Sequence, residues 1–150
     1  MQNQYKHLSL HLLEKFVAYS ESNRTQYRTM QNSSPIDVSV ESFQSEVVDR
    51  SQALPVVVLF WAEQVPPSVQ VKSQLELMLG QYQGKFTLAL SDVALDQNLA
   101  QRLQVPGLPS IRVVHKGQIV DQLDGPADEE QLRNMLDQHT QSLDGAIAGD

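Results

Sequence analysis

Apolar residues first recur along this chain at helical spacing. Tyr5, Leu8, Leu12, Phe16 and Tyr19 fall three or four apart, and Leu13 and Val17 widen the stripe. That period predicts an amphipathic helix over residues 3–20. The stretch from Ser20 to Ser34 is polar and aperiodic, which predicts a linker or a fraying helix end. From Pro35 the pattern is dense. Residues 36–38 predict a short strand, Ser39 an N-cap, and Val40, Phe43, Val47 and Val48 a helix. Residues 56–60, Val-Val-Val-Leu-Phe, form an apolar run of β-branched and aromatic residues. Such a run marks a central strand buried on both faces.

Pro66 and Pro67 suit a helix start, where a missing N–H costs nothing. Val69, Leu75, Leu77, Met78, Leu79 and Tyr82 are the apolar positions of that helix, and Gly84 stops it. Residues 86–90 predict a second buried strand, and 97–103 a short helix with Leu99, Ala100 and Leu103 inward. The proline-rich loop 105–109 leads into strand 110–114, whose character alternates. Lys116-Gly117 predicts a hairpin turn and 118–123 the returning strand. After the break at Gly125-Pro126, Asp128 opens a last amphipathic helix with Leu132, Met135 and Leu136 as its buried stripe.

The predicted order is β-α-β-α-β-α-β-β-α. Parallel crossovers followed by an antiparallel hairpin demand one mixed sheet with helices on both faces, an α/β fold. The domain boundaries follow: 1–34 an amphipathic helix and polar linker, 35–140 the α/β domain, and 141–150 a flexible tail that frays. The N-terminal helix has several open readings. It is a dispensable extension, an element docked on the domain, a dimer contact, or a grip on a partner protein. Tyr5, Leu8, Leu12 and Phe16 form its contact stripe. A chain beginning at Met30 would keep the whole compact domain.

Charge narrows the partners. Lys+Arg 11 against Asp+Glu 18 gives −7 at pH 7, which argues against nucleic acid and against anionic membranes. The cysteine count is 0, so these 150 residues can build no disulfide, thiolate nucleophile, Cys–zinc site or iron–sulfur cluster. No apolar run approaches the ~20 residues of a membrane span. The first residues lack the pattern of a signal peptide, so a cytoplasmic protein is expected.

Few residues carry candidate chemistry. His7 and His11 stand at metal-ligand spacing, but no further ligand is marked out, and a solvated helix face explains them. His115 and His139 have no partner evident in the sequence. Glu63 and Asp92 are single carboxylates without a paired acid. Phosphate-loop, dinucleotide and serine-hydrolase motifs do not occur. No metal or cofactor is expected. Trp61 with Val65, Pro66 and Pro67 reads either as an exposed apolar patch or as packing at a strand end.

The segment Phe60-Trp61-Ala62-Glu63, a short turn into a helix, Pro109 opening a strand, then Lys116-Gly117 and Gly125 together resemble the thioredoxin fold over residues 36–140. Within that superfamily the chain is most similar to the thioredoxin-like domain of the CnoX (YbbN) co-chaperones. Residues 80–86, 96–103 and 125–130 carry that likeness. The helical repeats that follow this domain in CnoX proteins have no counterpart in the sequence.

The resemblance places the two redox cysteines of a thioredoxin at Val65 and Ser68. It places the buried proton-handling acid at Leu59 and its lysine neighbour at Leu90. It also implies that Pro109 is cis and faces the turn, with Leu108 pairing its backbone to an extended peptide. A cis proline also holds its loop with nothing bound, so both readings stand. The expected function is therefore a redox-inactive module binding polypeptide clients through Trp61, Val65, Pro66, Pro67, Ser68, Gly107, Leu108 and Pro109. Two alternatives remain. One is an assembly protein that uses the N-terminal helix. The other is a glutathione-type enzyme using the Ser68 hydroxyl.

Overall fold

Strand β2, Val56–Trp61, lies at the centre of the sheet with β3, Thr87–Asp92, parallel on one side. On its other side runs β4, Ser110–His115, antiparallel. The short β1, Ile36–Asp37, adds to β3, and β5, Gln118–Asp124, pairs with β4. The five strands thus stand in the order β1-β3-β2-β4-β5. The computed structural model describes residues 34–148, with side chains through Gln141. The predicted N-terminal helix, its stripe of Tyr5, Leu8, Leu12 and Phe16, and the pair His7 and His11 lie outside the described residues.

The sheet is buried on both faces because β2 has no polar position to turn outward. Val57 and Leu59 point one way, into a core with Leu88, Leu90, Ile111 and Val113. That core is roofed by α2, Pro66–Gln81, through Val71, Leu75, Met78 and Leu79. It is also roofed by α4, Glu129–Ala148, through Leu132, Met135 and Leu136. Val56, Val58 and Phe60 point the other way, against Val47, Leu99 and Ala100. Val47 comes from the segment that begins as α1, Val40–Phe43, widens into a π-helical stretch, Gln44–Asp49, and closes as a 3-10 turn, Arg50–Gln52. Leu99 and Ala100 come from α3, Asn98–Arg102. The predicted α/β architecture, a mixed sheet flanked by helices, is the one observed.

Two positions depart from the pattern. Leu77 was expected inside α2 but is 65% exposed. The buried positions Ser68, Val71, Leu75, Met78 and Leu79 follow one face at spacings of three and four. Position 77 falls on the opposite side of that turn. Strand β4 was expected to alternate, yet Ser110 through Val114 are all buried. Its charged member, Arg112, is only 3% exposed, and its burial is compensated because its Nη1 donates to Asp124 Oδ1 at 2.7 Å and to the Ile111 carbonyl at 2.9 Å. The carboxylate comes from β5, so the sequence of β4 alone could not reveal the partner.

Local signals close the elements. Lys116 and Gly117 both have positive φ, 57° and 78°, the geometry of a two-residue hairpin turn. The Lys116 and Gly117 N–H groups donate to the Ser51 carbonyl and to Ser51 Oγ, tying this hairpin to the 3-10 turn. At the start of α4 the Asp128 N–H donates to Gln131 Oε1 at 3.0 Å, and the Gln131 N–H returns to Asp128 Oδ1 at 2.9 Å. That reciprocal cap satisfies two N-terminal donors. Helix α4 continues to Ala148, past residue 140 where the sequence pattern sets the end of the domain. Among the described residues no helix is long and apolar enough to cross a membrane.

Candidate functional site

The end of β2 delivers the chain to the turn that the sequence singles out. Trp61 is the last residue of the strand, Val65 is the N-cap of α2, and Pro66 and Pro67 occupy its first turn. Val65 caps without a side-chain oxygen. The turn is held instead from inside by Ser68, which is 0% exposed. Ser68 Oγ accepts the Ala62 N–H at 3.1 Å. It stands 2.9 Å from the Ala62 carbonyl and 2.7 Å from the Val65 carbonyl, which compete for its one proton. The hydroxyl is therefore both buried and engaged. An external thiol meets no free Ser68 hydroxyl, which corrects the one positional candidate for glutathione-type chemistry.

The register Phe60↔Ser110 brings a second loop to the same end of the sheet. Because β2 and β4 run antiparallel, the turn leaving β2 and the loop entering β4 are neighbours. The Leu108–Pro109 peptide bond is cis. Pro109 is buried, Leu108 half-buried and Gly107 exposed. Ser110 Oγ donates to the Gly107 carbonyl at 2.7 Å, and the Gly125 N–H donates to the Pro109 carbonyl at 2.8 Å. Among the described residues Leu108 enters none of the backbone hydrogen bonds of these turns.

The predicted apolar patch is only partly exposed. Trp61 is half-buried and packs against the core under α2, with Lys72 Nζ 4.9 Å from its ring centroid. Its indole Nε1 is buried without a hydrogen-bond partner. Val65 is half-buried, whereas Pro66 and Pro67 are exposed. The surface that remains is the prolines, part of Val65, and part of Leu108.

The proton-handling positions are apolar in structure as well as in sequence. Leu59 is 0% and Leu90 6% exposed, and they face each other across the β2–β3 ladder. Glu63 is exposed, and Asp92 Oδ1 accepts the Ala94 N–H at 3.1 Å as part of a turn. Among the described residues no group of three or more His, Cys, Asp or Glu is placed to hold a metal ion. The sequence left His139 without a partner, but its Nε2 lies 2.8 Å from Asp121 Oδ2 on β5. Burial, then Lys116 and His139, hold the His115 imidazole below its usual range. Such pairings join a strand to a distant helix, and no spacing rule finds them.

A family model described as "Thioredoxin" matches residues 34–138, most of the chain. The chain belongs to the thioredoxin family. It is 27% identical to thioredoxin of Chlorobaculum thiosulfatiphilum over 66% of its own length and 90% of that protein. It is 28% identical to thioredoxin C-2 of Corynebacterium nephridii over 69% of its length and 94% of that protein. It is 33% identical to the mitochondrial thioredoxin of Mus musculus, over 63% of its length and 55% of that protein. In a thioredoxin-family chain with no cysteine, thiol–disulfide exchange has no attacking thiolate among its own residues.

Proposed function

We propose that this thioredoxin-family chain is a redox-inactive polypeptide-binding module of the cytoplasm. It acts as a chaperone or co-chaperone of the holdase kind, similar in character to CnoX (YbbN), and needs no cofactor. The client is an extended segment lying between Trp61, Val65, Pro66 and Pro67 on one side and Gly107, Leu108 and Pro109 on the other. Ser68 holds the turn from beneath.

The observation that carries this reading is at Leu108. Its backbone enters no turn hydrogen bond among the described residues, and its half-buried side chain packs against the core around Phe60. Leu108 stands in the loop that enters an interior strand, and an unpaired loop backbone can still hydrogen-bond an extended peptide, with neighbouring side chains supplying selectivity. The Ser68 hydrogen bonds support the binding role from another side, because they rigidify a turn that performs no exchange.

The test is suppression of citrate synthase aggregation by the full chain, compared with Leu108→Glu and Val65→Glu, each checked for an unchanged melt. The wild type suppresses and both variants lose most of the effect. No suppression by wild-type protein in stoichiometric excess overturns the reading. A second reading, assembly through the N-terminal helix, is favoured by the stripe Tyr5, Leu8, Leu12 and Phe16. Light scattering of the full chain against one beginning at Met30 separates the two, since only assembly predicts a change in oligomer.

A further inference from the structure

The three parallel strands all end at one pocket. Asp37 closes β1, Trp61 closes β2 and Asp92 closes β3, and all three line a cavity of about 650 Å³. The carboxyl ends of parallel strands are where open α/β sheets take ligands, and the volume is in the usual range for a ligand pocket. The cavity is separate from the Leu108 loop, because neither Gly107, Leu108 nor Pro109 lines it. Trp61 alone belongs to both surfaces.

The walls specify a chemistry. Asp96 joins Asp37 and Asp92, so three carboxylates line the cavity. Among the described residues none of them has an ion-pair partner. The cation in the wall, Lys72, is already committed: its Nζ lies 3.0 Å from Glu76 Oε2 and over the Trp61 ring. Two of the carboxylates are also fixed by their backbones. Asp92 Oδ1 accepts the Ala94 N–H, and Asp96 Oδ1 accepts the Asn98 N–H at 2.9 Å. Each retains a second oxygen. The Trp61 ring forms an aromatic wall, and Leu95, 84% exposed, adds apolar surface.

We propose that this pocket receives a basic side chain, arginine or lysine, of a bound polypeptide. The occupant is a polypeptide on charge complementarity and shape together. A guanidinium or ammonium group answers the three carboxylates, its aliphatic stem lies against Trp61 and Leu95, and the pocket is open to a chain running past it. The net charge of −7 favours the approach of such a segment. The choice of polypeptide rests on the function proposed above and adds to it a preference for basic clients.

The chain has a single tryptophan, Trp61, so binding here reports directly in intrinsic fluorescence. Full-length protein is titrated at low salt with the blocked peptide Ala-Val-Arg-Val-Ala and with its counterparts carrying Glu or Ala in place of Arg. The Arg peptide gives a saturable change, the Glu and Ala peptides bind more weakly, and added salt weakens the Arg peptide most. Asp37→Asn and Asp96→Asn each weaken the Arg peptide about two- to fivefold, the range for partly exposed ion pairs. Equal affinity for the three peptides, no effect of either Asn variant, or reproduction of the signal by calcium chloride alone overturns the proposal. Leu108→Glu separates the two readings. If it weakens all three peptides alike while the Asn variants bind as wild type, the loop binds clients and the pocket does not. If only the Asn variants weaken binding, the pocket stands and the Leu108 loop reading falls.

Discussion

Leu59 lies directly across the β2–β3 ladder from Leu90, and both are buried in the core beneath α2. The resemblance places a proton-handling acid and its lysine neighbour at these positions. Here the pair is an apolar contact that stabilises the sheet. Once the thiols are gone, a carboxyl at position 59 has nothing to deprotonate and only its burial to offset.

Leu59→Ala therefore costs about 3 kcal/mol by loss of packing. Leu59→Asp costs more, and its cost depends on pH. Burial raises the folded pKa of the introduced acid above its unfolded value of about 3.9. The damage is then smallest below that unfolded value and grows as pH rises through the folded pKa. Urea melts at pH 5 and pH 8 measure this, and a Leu59→Asp variant as stable at pH 8 as at pH 5 would show that the site is hydrated.

Ser68 is the next consequence of the missing thiols. Its hydroxyl links Ala62 and Val65 across the turn before α2. Ser68→Ala leaves the Ala62 N–H without that acceptor in a buried place, and we expect a loss of about 1–3 kcal/mol. Ser68→Cys retains the volume but weakens the same bonds, so it falls between the two. Denaturant midpoints of the three proteins give the order, and an Ala variant equal to wild type would remove the structural role assigned to this hydroxyl.

Much of the fold was legible because burial here follows simple periods. The run at 56–60 has no polar residue, so it had to be central. Lys116-Gly117 had to turn, since a glycine beside a short polar break between strands supplies the positive φ. In α2 the apolar residues outnumber the face that receives them, and Leu75, Leu77, Met78 and Leu79 could not all point inward. Composition does not say which one is left out; the helix angle does. Leu77→Glu is accordingly expected within about 0.5 kcal/mol of wild type, whereas Leu75→Ala costs about 3 kcal/mol. Thermal melts of the two variants check the assignment. The partners of Arg112 and His139 and the pocket at the strand ends were not legible. Each joins residues that only the sheet order brings together.

Arg112 shows what such a partner is worth. The guanidinium is buried on β4, and Asp124 on β5 is its carboxylate. The hydrogen bond from Arg112 holds the Asp124 carboxyl below its usual range, against the opposing effect of burial. A depressed carboxylate contributes stability above its unfolded pKa and loses it as pH falls through the folded one. The wild type should therefore lose stability on acidification below about pH 4. Asp124→Asn should lose less over the same range while starting lower, by about 1–3 kcal/mol at pH 7 because the partner is partly exposed. Parallel acid-dependent slopes for the two proteins would show that Asp124 is not coupled to folding.

The sharpest prediction restores the thiols and asks whether the chemistry returns. Val65 is the N-cap and Ser68 the third residue of α2. Positions one helical turn apart lie close enough for a disulfide. The double variant Val65→Cys, Ser68→Cys should form one under mild oxidation, seen as loss of two titratable thiols. The N-terminal end of α2 should also lower the pKa of the thiol at position 65. Exchange nevertheless needs a proton to move at the buried second sulfur, and Leu59 and Leu90 supply none. The variant should then react with a small alkylating agent yet reduce insulin far more slowly than a thioredoxin. Adding Leu59→Asp to it should raise that rate and lower stability together. Full insulin reductase activity from the two cysteines alone would show that the apolar pair at 59 and 90 is not what withholds the reaction.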